Sequence, residues 1–187
     1  DADPIDTARK VFQGAMANAG QVCVAIKRAY VPESMYDIFC EELARLAKAA
    51  VVDDGAKQGA QIGPVQNKAQ FDKLRALLTD CTQEGTVVAG GDVLDRPGFF
   101  IAPTIVRDVA DDAAIVQDEQ FGPVLPVLKY KDLDEVIARA NATSFGLGGS
   151  IWSADPARGE DVARRMESGT VWVNQHLALN PMVPFRG

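Results

Sequence analysis

Cysteine and histidine are scarce in this sequence, which contains three cysteines and one histidine among 187 residues. The cysteines, Cys23, Cys40 and Cys81, are odd in number and widely spaced, and no Cys-x-x-Cys pair occurs. Structural zinc sites need clustered Cys and His ligands, and disulfide-stabilised secreted domains need more cysteines. We therefore expect no metal site and no disulfide framework, and this cysteine usage favours the reducing cytoplasm.

Positive charge is also in short supply, with 19 Lys and Arg against 26 Asp and Glu and a net charge of −7. Nucleic-acid binding relies on an excess of Lys and Arg that neutralises phosphates, so we expect no nucleic-acid partner. No run of about 18 apolar residues is present, which argues against a membrane-spanning segment. The sequence also lacks Gly-x-Gly-x-x-Gly, the P-loop and Gly-x-Ser-x-Gly, so the common nucleotide-binding and serine-hydrolase signatures are missing.

The composition is that of a globular domain. Hydrophobic residues form 47% of the chain and charged residues 24%, which excludes a disordered segment. At this length we expect one domain with a sizeable core. The sequence begins at Asp1 without an initiator methionine and stops at Gly187 without a polar tail, so we expect a fragment of a longer parent protein.

Helix and strand patterns alternate along the chain. Apolar residues at helical spacing predict helices over residues 5–19, 34–50, 67–84, 133–140 and 156–166. Short apolar runs bounded by turn-forming residues predict strands over residues 28–31, 86–89, 99–101, 104–106, 124–130, 147–152 and 170–174. Such alternation is typical of an α/β fold with a mainly parallel, twisted sheet and helices on both faces.

Cys23 is the first candidate for chemistry. Gly20 ends the first predicted helix, so the thiol three residues later can point into a cleft. A thiolate near backbone N–H groups or a cation is a competent nucleophile. From spacing alone, however, a single cysteine beside valines is more often a core residue, and both interpretations stay open. Cys40 and Cys81 lie on apolar helix faces and are interpreted as structural.

Residues 119–123 (Glu-Gln-Phe-Gly-Pro) are the second candidate site, directly before the predicted strand 124–130. In open α/β sheets, strand ends and their loops line the ligand crevice. Glu119 can there bind a ribose diol, and Phe121 can pack on a flat ring. The alternative is a strand entry with a solvated glutamate and a core phenylalanine.

His176 is the remaining reactive side chain. Its separation from Cys23 is similar to that of papain-like Cys/His hydrolases. The sequence around Cys23 nevertheless lacks the Cys-Gly-Ser-Cys-Trp pattern of those enzymes. A hydrolase therefore remains a remote alternative to an ordinary loop histidine.

Taken together, the motifs resemble the aldehyde dehydrogenase superfamily over the whole chain. The matching segments are 18–23 (active-site cysteine pattern), 98–104 (Gly-x-Phe-x-x-Pro-Thr), 119–123 (Glu-x-Phe-Gly-Pro), and 144–147, 169–174 and 184–185 in the family's order. One departure occurs at residues 184–187, where Pro-Phe-Arg-Gly replaces the Pro-Phe-Gly-Gly of many members. The chain is identified as part of this family's catalytic domain.

The resemblance implies oxidation of a small-molecule aldehyde to a carboxylic acid with NAD or NADP. Cys23 is then the nucleophile that forms a thiohemiacetal and a thioester. Glu119 is expected to contact the nicotinamide ribose and Phe121 to position the ring. The residues expected to line the substrate tunnel are Phe12, Met16, Val22 and Phe185, with the 175–183 loop.

The resemblance also implies what lies outside the chain. Residues 1–187 are expected to be a catalytic-domain fragment, with the nucleotide-binding domain and the C-terminal tail absent. The general-base Glu, the oxyanion Asn and the ribose-binding Lys have no counterpart here, so we expect the isolated chain to be inactive. The parent protein is expected to be a homo-oligomer. A CoA-acylating dehydrogenase and a non-catalytic fragment or pseudoenzyme remain alternatives.

Overall fold

The computed structural model describes residues 1–185, so Arg186 and the sequence departure around it lie outside the described residues. The helices are α1 (Pro4–Met16), α2 (Tyr36–Ala49), α3 (Lys68–Glu84), α4 (Ala114–Gln117), α5 (Leu133–Asn141) and α6 (Pro156–Ala163). The strands are β1 (Ala29–Pro32), β2 (Thr86–Ala89), β3 (Thr104–Arg107), β4 (Val124–Tyr130), β5 (Gly148–Ile151) and β6 (Thr170–Val173). Short 3₁₀ turns span Ala17–Gly20 and Glu33–Met35.

The strands form two sheets within the described residues. The larger sheet has the order β1-β4-β3-β2, in which β1–β4 and β3–β4 are parallel and β2–β3 is antiparallel. β5 and β6 pair in parallel as a second sheet. These pairings confirm the predicted α/β fold with mainly parallel strands.

Helices cover both faces of the larger sheet. Successive side chains of a strand point to opposite faces, and β3 and β4 divide their apolar residues accordingly. Ile105 and Leu125 belong to one buried cluster with residues of α1 and α2. Val106 and Val124 belong to a second cluster with residues of α3. The predicted arrangement with helices on both faces is therefore confirmed.

Side-chain caps fix the starts of four helices; Asp155 caps α6 by accepting from the backbone N–H groups of Ala157 and Arg158 at 3.0 and 3.3 Å. Asp3, Asn67 and Asp132 each accept a hydrogen bond from the backbone N–H three residues later, at 2.7, 2.9 and 2.8 Å. Each such cap stabilises a helix by about 1 kcal/mol because it satisfies a backbone N–H that lacks an intrahelical partner. The caps explain why the predicted starts of α1, α3 and α5 lie within one residue of the observed ones.

Three local predictions were wrong. The first predicted helix ends at Met16, because Asn18 and Ala19 adopt left-handed φ angles of 51° and 55°. The predicted strand 99–101 contributes only an isolated bridge between Ile101 and Val93. The sequence reading also missed α4, a four-residue helix without a side-chain cap.

None of the helices within residues 1–185 is both long enough and apolar enough to cross a bilayer.

Candidate active site

The loop that leads to Cys23, residues 17–23, is called the cysteine loop. It packs directly against the backbone of the turn formed by residues 119–122, called the 119–122 turn. Gly20 has a φ of 70°, and a Cβ atom placed on it would lie 2.0 Å from the carbonyl oxygen of Gly122. Only glycine fits this approach. The fold therefore brings together the two candidate sites that the sequence analysis identified separately.

Gln21 anchors the cysteine loop to the segment before α3. Its side-chain amide donates to the Pro64 carbonyl at 3.4 Å, and its Oε1 accepts from the Gln66 N–H at 2.7 Å. Within the loop, the Asn18 side chain donates to the Gln21 carbonyl at 3.1 Å. These bonds hold the loop in a conformation that its residue types alone do not favour.

Cys23 is the accessible cysteine of this chain. Its side chain is exposed, whereas Cys40 and Cys81 are buried in the core, and all three are free thiols. Burial raises the pKa of Cys40 to about 11 and that of Cys81 to about 12. The two buried thiols are therefore protonated and shielded at neutral pH, which leaves Cys23 as the candidate nucleophile.

Two glutamines hold the 119–122 turn in place. Gln120 is 1% exposed, and its Nε2 donates to the carbonyls of Lys27, at 3.1 Å, and Ile115. The Gln70 side chain donates to the carbonyls of Gln120 and Phe121 at 2.7 and 3.2 Å. These contacts stabilise the left-handed backbone of Phe121, whose φ is 49°.

Lys27 lies between the cysteine loop and the 119–122 turn. Its ammonium donates to the Gly20 carbonyl at 2.6 Å and lies 5.0 Å from the centre of the Phe121 ring. Burial lowers the pKa of Lys27 to about 8, and the nearby Glu119 and Cys23 partly offset this effect. The sequence analysis missed both Lys27 and Gln120. For Lys27, the available signal was a Lys-Arg pair, Lys27 and Arg28, after the apolar residues 24–26 and directly before β1.

A cavity of about 840 Å³ opens beside these residues. Its lining includes Cys23, Lys27 and Glu119, together with parts of β1, β5, α5 and α6. The face of the Phe121 ring packs against the Lys27 ammonium, and Phe121 does not line the cavity. A cavity of this size is sufficient for a small-molecule ligand.

The four expected tunnel residues do not line this cavity. Met16 is 3% exposed in the core, and Phe12 packs against the same cluster. Val22 is half-buried in the cysteine loop, and Phe185 is exposed near the end of the described chain. Their assignment to a substrate tunnel stays a prediction.

His176 supports the backbone beside Cys23. Its Nε2 lies 2.7 Å from the Val24 carbonyl oxygen, and its ring packs edge-on against Trp172 with 5.1 Å between ring centres. Burial lowers the pKa of His176. Its Nδ1 is buried without a hydrogen-bond partner among the described residues. Because neither nitrogen bonds the Cys23 sulfur, the geometry disfavours a Cys/His hydrolase.

Comparison with known proteins gives the family. The sequence pattern described as "Aldehyde dehydrogenase family" matches residues 1–187. The chain belongs to the aldehyde dehydrogenase family. The Deinococcus radiodurans succinate-semialdehyde dehydrogenase [NADP(+)] is 38% identical over all of this chain and 40% of that protein. Human retinal dehydrogenase 2 is 39% identical over all of this chain and 36% of that protein.

Solved aldehyde dehydrogenase structures share the fold. The NAD+ complex of the Bacillus cereus enzyme matches 99% of this chain and 38% of its own, with a TM-score of 0.95 and 36% identity. A mutant of aldehyde dehydrogenase C from Pseudomonas syringae, complexed with NAD+ and octanal, matches 99% of this chain and 39% of its own, with a TM-score of 0.94 and 32% identity. The chain thus spans about two fifths of the length of these relatives.

The described part of this aldehyde dehydrogenase chain holds no cluster of metal ligands. No group of three or more His, Cys, Asp or Glu side chains within residues 1–185 is arranged to bind a metal ion.

Proposed function

We propose that the parent protein is an NAD- or NADP-dependent aldehyde dehydrogenase, which oxidises an aldehyde to a carboxylic acid through Cys23. The observation that carries this proposal is the packing of the cysteine loop against the 119–122 turn, which brings a nucleophile and a carboxylate to one cavity. The family membership and the relatives named above support it.

In the proposed reaction, the Cys23 sulfur forms a bond to the aldehyde carbon after its thiol proton leaves to solvent. The carbonyl oxygen becomes the oxyanion of a thiohemiacetal. NAD(P)+, when bound beside Glu119, would supply the hydride acceptor that the conversion of the thiohemiacetal into a thioester requires. Water then adds to the thioester and the C–S bond breaks, so that the acid is released and Cys23 returns to its starting state.

The cysteine loop offers one donor for the oxyanion. Within the described residues, the backbone N–H of Cys23 donates no hydrogen bond to the protein. A backbone N–H aimed at a developing oxyanion contributes about 3 kcal/mol to catalysis. The Val22 carbonyl, which shares its peptide plane with the Cys23 N–H, accepts from the Ala25 N–H at 2.9 Å, so the fold fixes the direction of the Cys23 N–H.

We assign Glu119 to the nicotinamide end of the cofactor; Phe121 lies outside the cavity lining, and its role in positioning the ring stays a prediction. Within residues 1–185, the Glu119 carboxylate makes no hydrogen bond or ion pair, although Lys73 and Gln70 hold the backbone around it. An unpaired carboxylate beside a cavity can accept hydrogen bonds from ribose hydroxyls. The Phe121 ring packs against the Lys27 ammonium beside the cavity. We assign the remaining contacts to the cofactor to the part of the parent protein outside this chain.

We assign residues 1–187 to the catalytic domain of that parent protein, and the general base and the nucleotide-binding domain to its remainder. The isolated chain is expected neither to bind NAD(P) at micromolar concentration nor to reduce it, which calorimetry and absorbance measurements check. Homo-oligomerisation of the parent protein and a reducing, cytoplasmic setting for Cys23 belong to the same proposal.

The test uses the parent protein with matched alanine variants. Cys23→Ala removes the nucleophile and should abolish aldehyde-dependent reduction of NAD(P)+. Cys40→Ala removes a buried thiol from the core and should leave that reaction within a few-fold of its normal rate. Residual turnover in the Cys23→Ala protein, or its loss in both variants at equal folded content, would contradict the assignment of Cys23.

A further inference from the structure

We propose that Lys27 is a positioning residue that fixes the cysteine loop on the 119–122 turn and supplies the positive charge that sustains the reactivity of Cys23. This inference rests on the proposed role of Cys23 as the nucleophile. It assigns a function to the half-buried cation that bonds the loop carrying that thiol.

Hydrogen bonds hold both the side chain and the backbone of Lys27. Its ammonium donates to the Gly20 carbonyl at 2.6 Å, within the left-handed part of the cysteine loop. Its own carbonyl accepts from the Gln120 side chain at 3.1 Å. One residue therefore connects the loop that carries the thiol to the turn that carries Glu119.

The Lys27 ammonium also contacts the aromatic ring of Phe121. The ammonium lies 5.0 Å from the centre of the Phe121 ring, a distance at which a cation is attracted by the face of an aromatic ring. Phe121 has a left-handed backbone and needs tertiary contacts to keep it. Lys27 thus helps to orient the ring as well as the loop.

The charged groups around Lys27 set the electrostatic environment of Cys23. The charged and titratable groups near Lys27 that line the same cavity are Cys23, Arg28, Asp118, Glu119 and His176. The Arg28 guanidinium is directed at the Val116 carbonyl and His176 at the Val24 carbonyl, whereas the Lys27 ammonium is directed at the cysteine loop. The carboxylates of Asp118 and Glu119 repel an anionic reagent that approaches Cys23, whereas the Lys27 ammonium attracts it.

The experiment measures alkylation of Cys23 in the chain itself, with the modified site mapped by mass spectrometry. Two reagents are compared, neutral iodoacetamide and anionic iodoacetate, across a range of pH. The variants are Lys27→Met, which removes the charge and the donor, and Lys27→Arg, which keeps the charge. Lys68→Met is the matched control, because it removes an exposed lysine of α3 whose ammonium pairs with Asp72 on the same helix, away from the cysteine loop and the 119–122 turn.

Lys27→Met should slow the reaction of Cys23 with iodoacetamide at neutral pH by about three- to tenfold, as expected for one unit charge in a partly exposed site. It should also lower the ratio of the iodoacetate rate to the iodoacetamide rate. Lys27→Arg should restore that ratio, and Lys68→Met should change neither quantity. If Lys27 had a purely structural role, Lys27→Met would change the rates with both reagents by the same factor and leave their ratio unchanged.

A second measurement needs no variant and therefore does not depend on folding of a mutant. Because the pKa of Lys27 is lowered to about 8, the ammonium is charged at neutral pH and loses its proton as the pH rises above that value. In the unmodified chain, the iodoacetate-to-iodoacetamide ratio should therefore fall as the pH rises through this range. A flat ratio, together with an unchanged ratio in Lys27→Met, would overturn the proposal. Failure of Cys23 to react faster than Cys40 and Cys81 would instead count against the proposed function.

Discussion

Replacement of Gly20 by alanine tests the packing on which the site depends. An alanine methyl at this position lies 2.0 Å from the Gly122 carbonyl oxygen, well below the 3.0 Å that real Cβ contacts respect. The cysteine loop and the 119–122 turn must then separate by about 1 Å to relieve the clash. A left-handed φ costs alanine a further ~1–2 kcal/mol. Overpacking in a close contact costs ~1–3 kcal/mol, so we expect a loss of ~2–5 kcal/mol in the free energy of unfolding.

Gly59→Ala provides a matched control for this substitution. Gly59 also has a left-handed φ, of 88°, but no atom lies within 4 Å of its added Cβ. This variant retains the strain without the clash, and the reduced entropy of the unfolded chain offsets part of that strain. Its expected cost is therefore only ~1 kcal/mol or less.

Urea unfolding followed by circular dichroism measures both losses, and iodoacetamide reports the reactivity of Cys23 in the same proteins. Gly20→Ala should be less stable than Gly59→Ala and should alter the Cys23 rate, which Gly59→Ala should not do. In the parent protein, a 1 Å displacement of the nucleophile reduces turnover by about 100-fold. Equal stabilities and equal Cys23 rates in the two variants would refute the claimed contact between the two segments.

Three further predictions concern the cofactor contact, an ion-pair cluster and the sheet edges. Glu119→Gln in the parent protein should slow hydride transfer more than it weakens NAD(P) affinity, which stopped-flow and equilibrium titration distinguish. Hydrogen bonds, foremost from Arg45, lower the pKa of Glu42 to about 2, so its contribution to stability is present above its ordinary pKa and is lost as the pH falls towards 2. Glu42→Gln should therefore be less stable at neutral pH, with a difference that disappears in acid denaturation curves. β1 and β5 each have one edge without a strand partner within residues 1–185, and such edges promote pairing between chains, so sedimentation should show association that increases with concentration.

Local patterns were sufficient for most of the fold. The strand over Val124–Tyr130 was predicted with both ends correct, because its apolar run is bounded by Pro123 and by the polar start of the next helix. Asn67 marked the start of α3 because an asparagine favours the cap position. Such signals depend on neighbouring residues and are therefore readable from one sequence.

Long-range contacts account for what the sequence did not reveal. No property of Ala19 marks it as left-handed, since that backbone is stabilised by packing against the distant 119–122 turn. The roles of Gln120 and Lys27 depend in the same way on partners far along the chain. The division of the strands into two sheets is also a property of tertiary pairing, which periodicity does not encode.

Trapping of the covalent intermediate tests the central claim most directly. The parent protein is mixed with an aldehyde and NAD(P)+, quenched in acid during turnover, and digested for mass spectrometry. The account predicts an acyl group in thioester linkage on the peptide that contains Cys23. An acyl group on Cys40 or Cys81, or turnover without any acylated cysteine, would contradict it.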